Sequence, residues 1–102
     1  MSHDEILNIV CRELSVSIED VKSTTRKKRV LYARKLSVYY LNNEVPEPYI
    51  IAGYFDSSIK SIYRYRSNFH KELRYNRALR YLKSRCDLAI KKGADSNTAP
   101  GG

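Results

Sequence analysis

The segment from Pro48 to Phe69 constrains the fold more than any other part of the chain; its sequence is PYIIAGYFDSSIKSIYRYRSNF. Pro48 suits the first position of a helix, where the missing N–H is not needed. Ile51 and Phe55 fall on one helical face because they are four residues apart. Residues 56–58 are polar, and each is of a type that caps a new helix. The segment therefore predicts two helices joined by a tight turn, a helix-turn-helix.

The second helix of this pair, at about 57–68, has an apolar face and a polar one. Ile62, Tyr65 and Phe69 recur at spacings of three and four residues, which predicts an inward face. The opposite face carries hydrogen-bonding groups and positive charge: Ser57, Lys60, Ser61, Arg64 and Asn68. Such a helix can enter a major groove and contact base edges. An ordinary helical hairpin with a solvated basic face fits this stretch equally well.

The charge of the chain favours an anionic partner. The 102 residues include 19 Lys and Arg against 11 Asp and Glu, which gives a formal net charge of +8. Residues 22–35 hold seven bases and no acid, and residues 57–92 hold eleven bases and two acids. Such a balance is typical of nucleic-acid-binding proteins, although acidic proteins and anionic membranes are also possible partners.

Helical periodicity continues along the rest of the chain. Ser2 with Glu5 forms a capping box. Four further helices are predicted, at about 3–14, 18–23, 27–43 and 70–92. Gly93 follows two lysines and suits a C-terminal cap. We therefore expect an all-α fold of about six helices, in one domain of residues 1–93, with residues 94–102 forming a disordered tail.

The chain offers little for catalysis or metal binding. Cys11 and Cys86 have no CxxC or Cys/His spacing and lie in apolar helical patterns, which indicates buried, reduced thiols. His3 and His70 have no nucleophile or acid at a readable spacing. We expect no enzymatic activity, no cofactor, no metal and no small-molecule substrate. The acidic N-terminal sequence and the absence of a long apolar window predict a cytoplasmic protein without a signal peptide or membrane span.

With the helices in this order, the chain resembles the C-terminal DNA-binding domain of DnaA, the bacterial replication initiator. The resemblance covers about residues 3–70, and three segments carry it: SVSIEDVKS for the first loop and short helix, TRKKRVLYARKLSVYYL for the basic loop and long helix, and VPEPYIIAGYF for the first helix of the helix-turn-helix. Ala33 and Arg34 stand where the family has an Ala-Arg pair. Ile51, Ala52 and Phe55 also stand at matching positions.

The turn departs from the family pattern. The family has Phe, a Gly-Arg-rich turn and then Asp-His-Thr-Thr-Val, whereas residues 55–62 are FDSSIKSI. With Ile62 aligned to the family Val, the turn is one residue short, and Ile59, Lys60 and Ser61 replace His and the two Thr. We therefore expect a shared docking mode but a different preferred DNA sequence. The glycine-rich phosphate loop of the family's ATPase domain does not occur.

The resemblance implies a minor-groove contact from the basic loop at 24–29. In the family this loop inserts an Arg beside the recognition helix, where a narrow minor groove concentrates negative potential. Arg26 is the candidate here, with Lys27, Lys28 and Arg29 as alternates; a solvated charge run is the other interpretation. Arg34 and Lys35 are expected on backbone phosphates, or else along the surface of their helix.

Base contacts are assigned to the recognition helix. Lys60, Ser61 and Arg64 are the candidates, because Arg can bind guanine through two hydrogen bonds and Ser is a permissive partner. Ser57 and Ser58 are expected to cap the helix or contact DNA. The sequence thus predicts sequence-specific binding of double-stranded DNA, by a regulator of replication, transcription or a mobile element.

An interaction module of the same fold that binds an acidic protein is the alternative. The last helix carries bases that are expected to be mostly solvated: Lys71, Arg74, Arg77, Arg80, Lys83 and Arg85. If Tyr75 and Tyr81 are exposed beside these bases, they can form a surface for a homodimer or a protein partner.

Overall fold

The computed structural model describes residues 2–23, 26–45, 47–55 and 59–98, with the backbone alone for 94–98. The described residues form six helices and no strand: α1 (His3–Leu14), α2 (Ile18–Lys22), α3 (Lys28–Glu44), α4 (Pro48–Tyr54), α5 (Ile59–Tyr75) and α6 (Arg77–Thr98). This confirms the predicted all-α fold with a helix-turn-helix in α4 and α5. The predicted serines 57 and 58 lie outside the described residues.

Side-chain caps define the beginnings of the first two helices. The Ser2 hydroxyl accepts a hydrogen bond from the Glu5 N–H at 3.2 Å, and the Ser17 hydroxyl accepts one from the Asp20 N–H at 3.0 Å. Ser15 then ends α1 in the left-handed conformation, with φ of 57°. These caps satisfy N–H groups that have no partner within the helix, so local sequence alone determines where α1 and α2 begin.

The long helix α3 lies at the centre of the molecule and packs against α1, α2, α4 and α5. Its Leu36 and Leu41 are fully buried. From α5, Ile62 and Phe69 point into the same core, with Ile62 at 0% exposure. The predicted inward face of α5 is therefore confirmed, and α5 is held on one side while its other side faces solvent.

Helix α6 closes the core against α1 and α3. Leu79 and Cys86 are fully buried, and the Tyr40 hydroxyl donates hydrogen bonds to Asp87 Oδ1 at 2.5 Å and to the Lys83 carbonyl at 3.1 Å. Burial, followed by the hydrogen bond to Asp87, raises the pKa of Tyr40. The phenol therefore stays protonated, and its single proton is shared between the two acceptors.

The boundary between the last two helices lies later than the sequence predicts. α5 continues to Tyr75, and the break falls at Asn76, whose Oδ1 accepts from the Leu79 N–H at 3.0 Å. The Asn76 amide also donates to the Tyr32 hydroxyl and to Glu72 Oε2, both at 3.1 Å. A cap held by residues from α3 and α5 thus begins α6.

The end of α6 also differs from the sequence pattern. The helical backbone continues past Gly93, the predicted C-terminal cap, as far as Thr98. Glycine costs only about 1 kcal/mol in a helix interior, so one glycine does not end a helix whose hydrogen bonds continue.

Candidate nucleic-acid interface

The outward side of α5 carries the residues predicted to contact bases. Lys60 and Arg64 are exposed and one helical turn apart. Ser61 is only half-buried and takes part in a contact within the protein. Because Ile62 on the other side is fully buried, α5 cannot rotate to bury these cations. The start of α5 therefore presents a fixed, positively charged ridge to solvent.

Two apolar residues outside the predicted DNA contacts share this ridge. Ile59 is 46% exposed and Tyr63 is 54% exposed. The Arg66 guanidinium lies 5.9 Å from the centroid of the Tyr63 ring. The signal was present in the sequence, since residues 59 and 63 are four apart and outside the row formed by Ile62, Tyr65 and Phe69. Apolar side chains on such a ridge can contact the methyl group of thymine.

A shallow groove between α3 and α5 continues the surface beyond Arg64. It has a volume of about 130 Å³, and its walls include Arg64, Asn68, Lys35 and Glu72. Lys35 Nζ lies 2.6 Å from Glu72 Oε1. Lys35 is thus on the same surface as Arg64, and its charge is balanced by an acid.

Arg34 lies inside the molecule, which corrects the expectation of a phosphate contact. The residue is only 5% exposed. Its Nε donates to the Val21 carbonyl at 2.9 Å, and its Nη2 donates to the Ser23 carbonyl at 2.6 Å. These carbonyls belong to the end of α2, where helical C=O groups lack intrahelical partners and where positive charge is favourable. Arg34 therefore caps α2 and is directed away from solvent.

The described part of the basic loop is fully on the surface. Arg26, Lys27, Lys28 and Arg29 are all exposed. Lys27 is the N-cap of α3 and makes no side-chain capping bond, and the first turn contains no acid. Cations at a helix N-terminus oppose the helix dipole, at about 0.3–1 kcal/mol each. Local stability therefore does not explain this cluster, whereas an anionic partner would.

The loop and the start of α5 lie at opposite ends of the α3–α5 pair. The two helices are antiparallel, because Lys35 pairs with Glu72 and Tyr32 accepts from Asn76, while Tyr39 stacks on Phe69 with ring centroids 4.6 Å apart. At about 1.5 Å per residue, Lys60 and Asn76 are about 24 Å apart along α5. One turn of B-DNA is about 34 Å long, so the two regions can reach different grooves.

The histidines and cysteines have packing roles. His3 Nδ1 lies 2.7 Å from the Tyr54 hydroxyl, which links α1 to α4, and His70 lies edge-on to the Tyr39 ring. Burial raises the pKa of Cys11 to about 11 and that of Cys86 to about 12. Among the described residues, no group of three or more His, Cys, Asp or Glu could hold a metal ion, and no described helix is long and apolar enough to cross a bilayer.

Comparison with known families matches the part of the chain that contains both candidate regions. A family model described as the bacterial dnaA protein helix-turn-helix matches residues 3–66. The match runs from α1 into α5 and includes the basic loop, and it covers more than half of the 102 residues. Comparison with curated proteins finds no matching relative. Because the family match covers more than half of the chain, the chain belongs to the bacterial DnaA helix-turn-helix family.

Proposed function

We propose that this protein binds double-stranded DNA in a sequence-specific manner, with the start of α5 in a major groove. The observation that carries the proposal is the fixed cationic ridge on α5, since Ile62 is fully buried while Lys60 and Arg64 are exposed. A helix held on one side by the core can present its other side to base edges without losing stability. Membership of a family of helix-turn-helix modules supports this docking mode.

Arg64 is the residue that we assign to direct base recognition, with guanine as the preferred base. Its guanidinium can donate two hydrogen bonds to the major-groove edge of guanine. Lys60 and Ser61 complete the polar contacts, and Tyr63 and Ile59 supply apolar ones. Ser57 and Ser58 remain proposed as DNA contacts that precede α5.

The basic loop is assigned to a neighbouring minor groove. Arg26 is the proposed inserted residue, because guanidinium is attracted into a narrow minor groove. Lys27, Lys28 and Arg29 are exposed beside it and are assigned to the flanking phosphates. Lys35 is proposed as a secondary phosphate contact, which requires its salt bridge with Glu72 to break.

The biological role that follows is regulation of replication, transcription or a mobile element, in the cytoplasm and without catalysis by this chain. A selection from random duplexes tests the sequence-specific part of the proposal. We expect enrichment of one short consensus that contains a guanine, and footprints that include a minor groove next to it. If no sequence is enriched although the protein binds duplexes at low salt, the protein binds DNA without sequence preference.

A further inference from the structure

A groove runs along the seam between α1 and α6, on a part of the molecule that the DNA proposal uses only at one end. Two adjoining cavities of about 410 and 560 Å³ share Arg12, Glu13 and Arg85 in their walls. The α6 wall lies entirely outside the residues matched by the family model, 3–66. Family membership therefore assigns no role to this groove.

The groove exposes apolar side chains that a stable fold does not require at the surface. Leu88 is 54% exposed in one cavity, and Tyr81 is 61% exposed in the other. The walls also contain Ile9 and Leu82, which extend the apolar floor. Exposed apolar groups gathered in a concave seam between helices are typical of sites that receive a peptide side chain.

The rim of the groove is strongly positive. Its walls contain five cations: Arg12, Lys28, Arg29, Arg85 and Lys92. Among the lining residues Glu13 is the one acid, and its Oε1 already lies 3.3 Å from the Arg85 guanidinium. The Arg85 side chain is still 48% exposed and can accept a second carboxylate. An apolar floor between cationic rims complements a segment that is both apolar and acidic.

We propose that the α1–α6 groove is a docking site for an acidic amphipathic segment of another protein. Apolar side chains of the partner cover Leu88 and Tyr81, and its carboxylates pair with Arg85 and Lys92. Duplex DNA fits less well, because it is convex and has no apolar side chain to place between the two helices. A second copy of this chain also fits less well, because each copy carries a net charge of +8 and the copies repel one another.

The probe for the test is a synthetic helix-forming peptide of about 14 residues, with leucines along one face and glutamates elsewhere. Such a helix is about 21 Å long, enough to lie along α6 from Tyr81 to Lys92. Fluorescence anisotropy of the labelled peptide, titrated with the intact protein, gives the affinity. Peptides with serine replacing leucine, and with lysine replacing glutamate, separate the apolar contribution from the charge contribution.

Matched variants of the protein locate the site. Tyr81→Ser and Lys92→Glu change exposed groove residues, whereas Tyr75→Ser and Lys91→Glu change exposed residues outside the walls. Because all four residues are exposed, each variant should keep the parent melting curve. We expect each groove variant to weaken peptide binding at least about fivefold, as loss of a well-placed interface residue does. The two control variants should bind like the parent.

Several results would overturn the proposal. One is no binding of the leucine–glutamate peptide by the parent protein; another is binding that the groove variants leave unchanged. Equal binding of the serine-substituted peptide would show diffuse charge attraction only. If the protein forms concentration-dependent dimers that Tyr81→Ser abolishes, the occupant of the groove is a second copy. If the groove variants, but not the control variants, lose binding to duplex DNA or to anionic vesicles, the occupant is a nucleic acid or a membrane. Because neither groove variant alters α5 or the basic loop, failure here leaves the DNA proposal intact.

Discussion

Arg34 and Arg64 belong to the two basic blocks of the chain, and their surroundings give them different roles. Arg34 is 5% exposed and donates to carbonyls at the end of α2. Arg64 is exposed on the ridge of α5, beside the groove that contains Lys35. The same guanidinium group therefore stabilises the fold in one place and is available to a base edge in the other.

Alanine substitutions at these two positions should separate stability from recognition. Arg34→Ala removes the donor to the buried Val21 carbonyl and one donor to the Ser23 carbonyl, so the free energy of unfolding should fall by about 1–3 kcal/mol, seen as a lower melting temperature. Arg64→Ala should melt like the parent but lose about 1–3 kcal/mol of binding energy on the selected site, with relaxed preference at one base pair. Equal weakening on selected and scrambled duplexes would instead place Arg64 on a phosphate.

Arg26→Ala should weaken duplex binding without changing the melting temperature, because Arg26 is exposed and precedes α3. Methylation of the neighbouring minor groove, or a ligand bound in it, should then reduce the DNA affinity of this variant less than that of the parent. Lys91→Ala, at an exposed base far along α6, is the matched control. If Lys28→Ala reduces affinity and Arg26→Ala does not, the inserted residue is Lys28 and the assignment within the loop is wrong.

The cysteines give a prediction about pH. Burial raises the pKa of Cys11 to about 11 and that of Cys86 to about 12, above the unfolded value of 9.0. Below pH 9 both thiols are protonated in the folded and unfolded states, so they add nothing to the pH dependence of stability. As pH rises from 9 towards 12, the unfolded chain loses these protons first, and the free energy of unfolding should fall. A double Cys→Ala variant should lose part of this dependence in denaturant titrations, and an unchanged profile would contradict the predicted burial effect.

At the element scale, α5 combines one face in the core with another that faces solvent. Ile62 is fully buried, whereas its neighbour Tyr63 is 54% exposed. Ile62→Asp should unfold the domain, because a carboxylate would be buried without a partner. Tyr63→Asp should stay folded, with a melting temperature near that of the parent. Circular dichroism during heating checks both, and a cooperatively melting Ile62→Asp variant would show that the two faces are assigned the wrong way round.

Elements bounded by local signals were predictable from sequence, and those bounded by distant contacts were not. The capping serines of α1 and α2 accept hydrogen bonds from residues three positions later, so the whole signal lies within four consecutive residues. Asn76 gives α6 the same local signal, since its Oδ1 accepts from the Leu79 N–H three positions later. Its further bond to Tyr32 from α3 and the burial of Arg34 against carbonyls of α2 are distant contacts. Those partners could not be identified before the helices were packed. The exposure of Ile59 follows from local periodicity, because residue 59 lies outside the row formed by Ile62, Tyr65 and Phe69.

At the scale of the whole molecule, the antiparallel packing of α3 and α5 sets the separation of the two regions that we propose to contact DNA. The start of α5 lies about 24 Å along the helix axis from Asn76, and Asn76 is at the end of α5 nearer the basic loop. A single copy can therefore contact two grooves of one duplex, with α3 between them. The α1–α6 groove adds a second surface of different chemistry, so the chain can bind DNA and an acidic segment through largely separate residues.

The salt dependence of binding to selected and scrambled duplexes tests the central claim most directly. If the intact protein neutralises roughly six phosphates through its loop and ridge, the log of the association constant should fall with the log of salt concentration with a slope of about −5. Both duplexes should show a similar slope, and the selected duplex should bind more tightly at every salt concentration. A flat slope, or no duplex binding at low salt, would contradict the account.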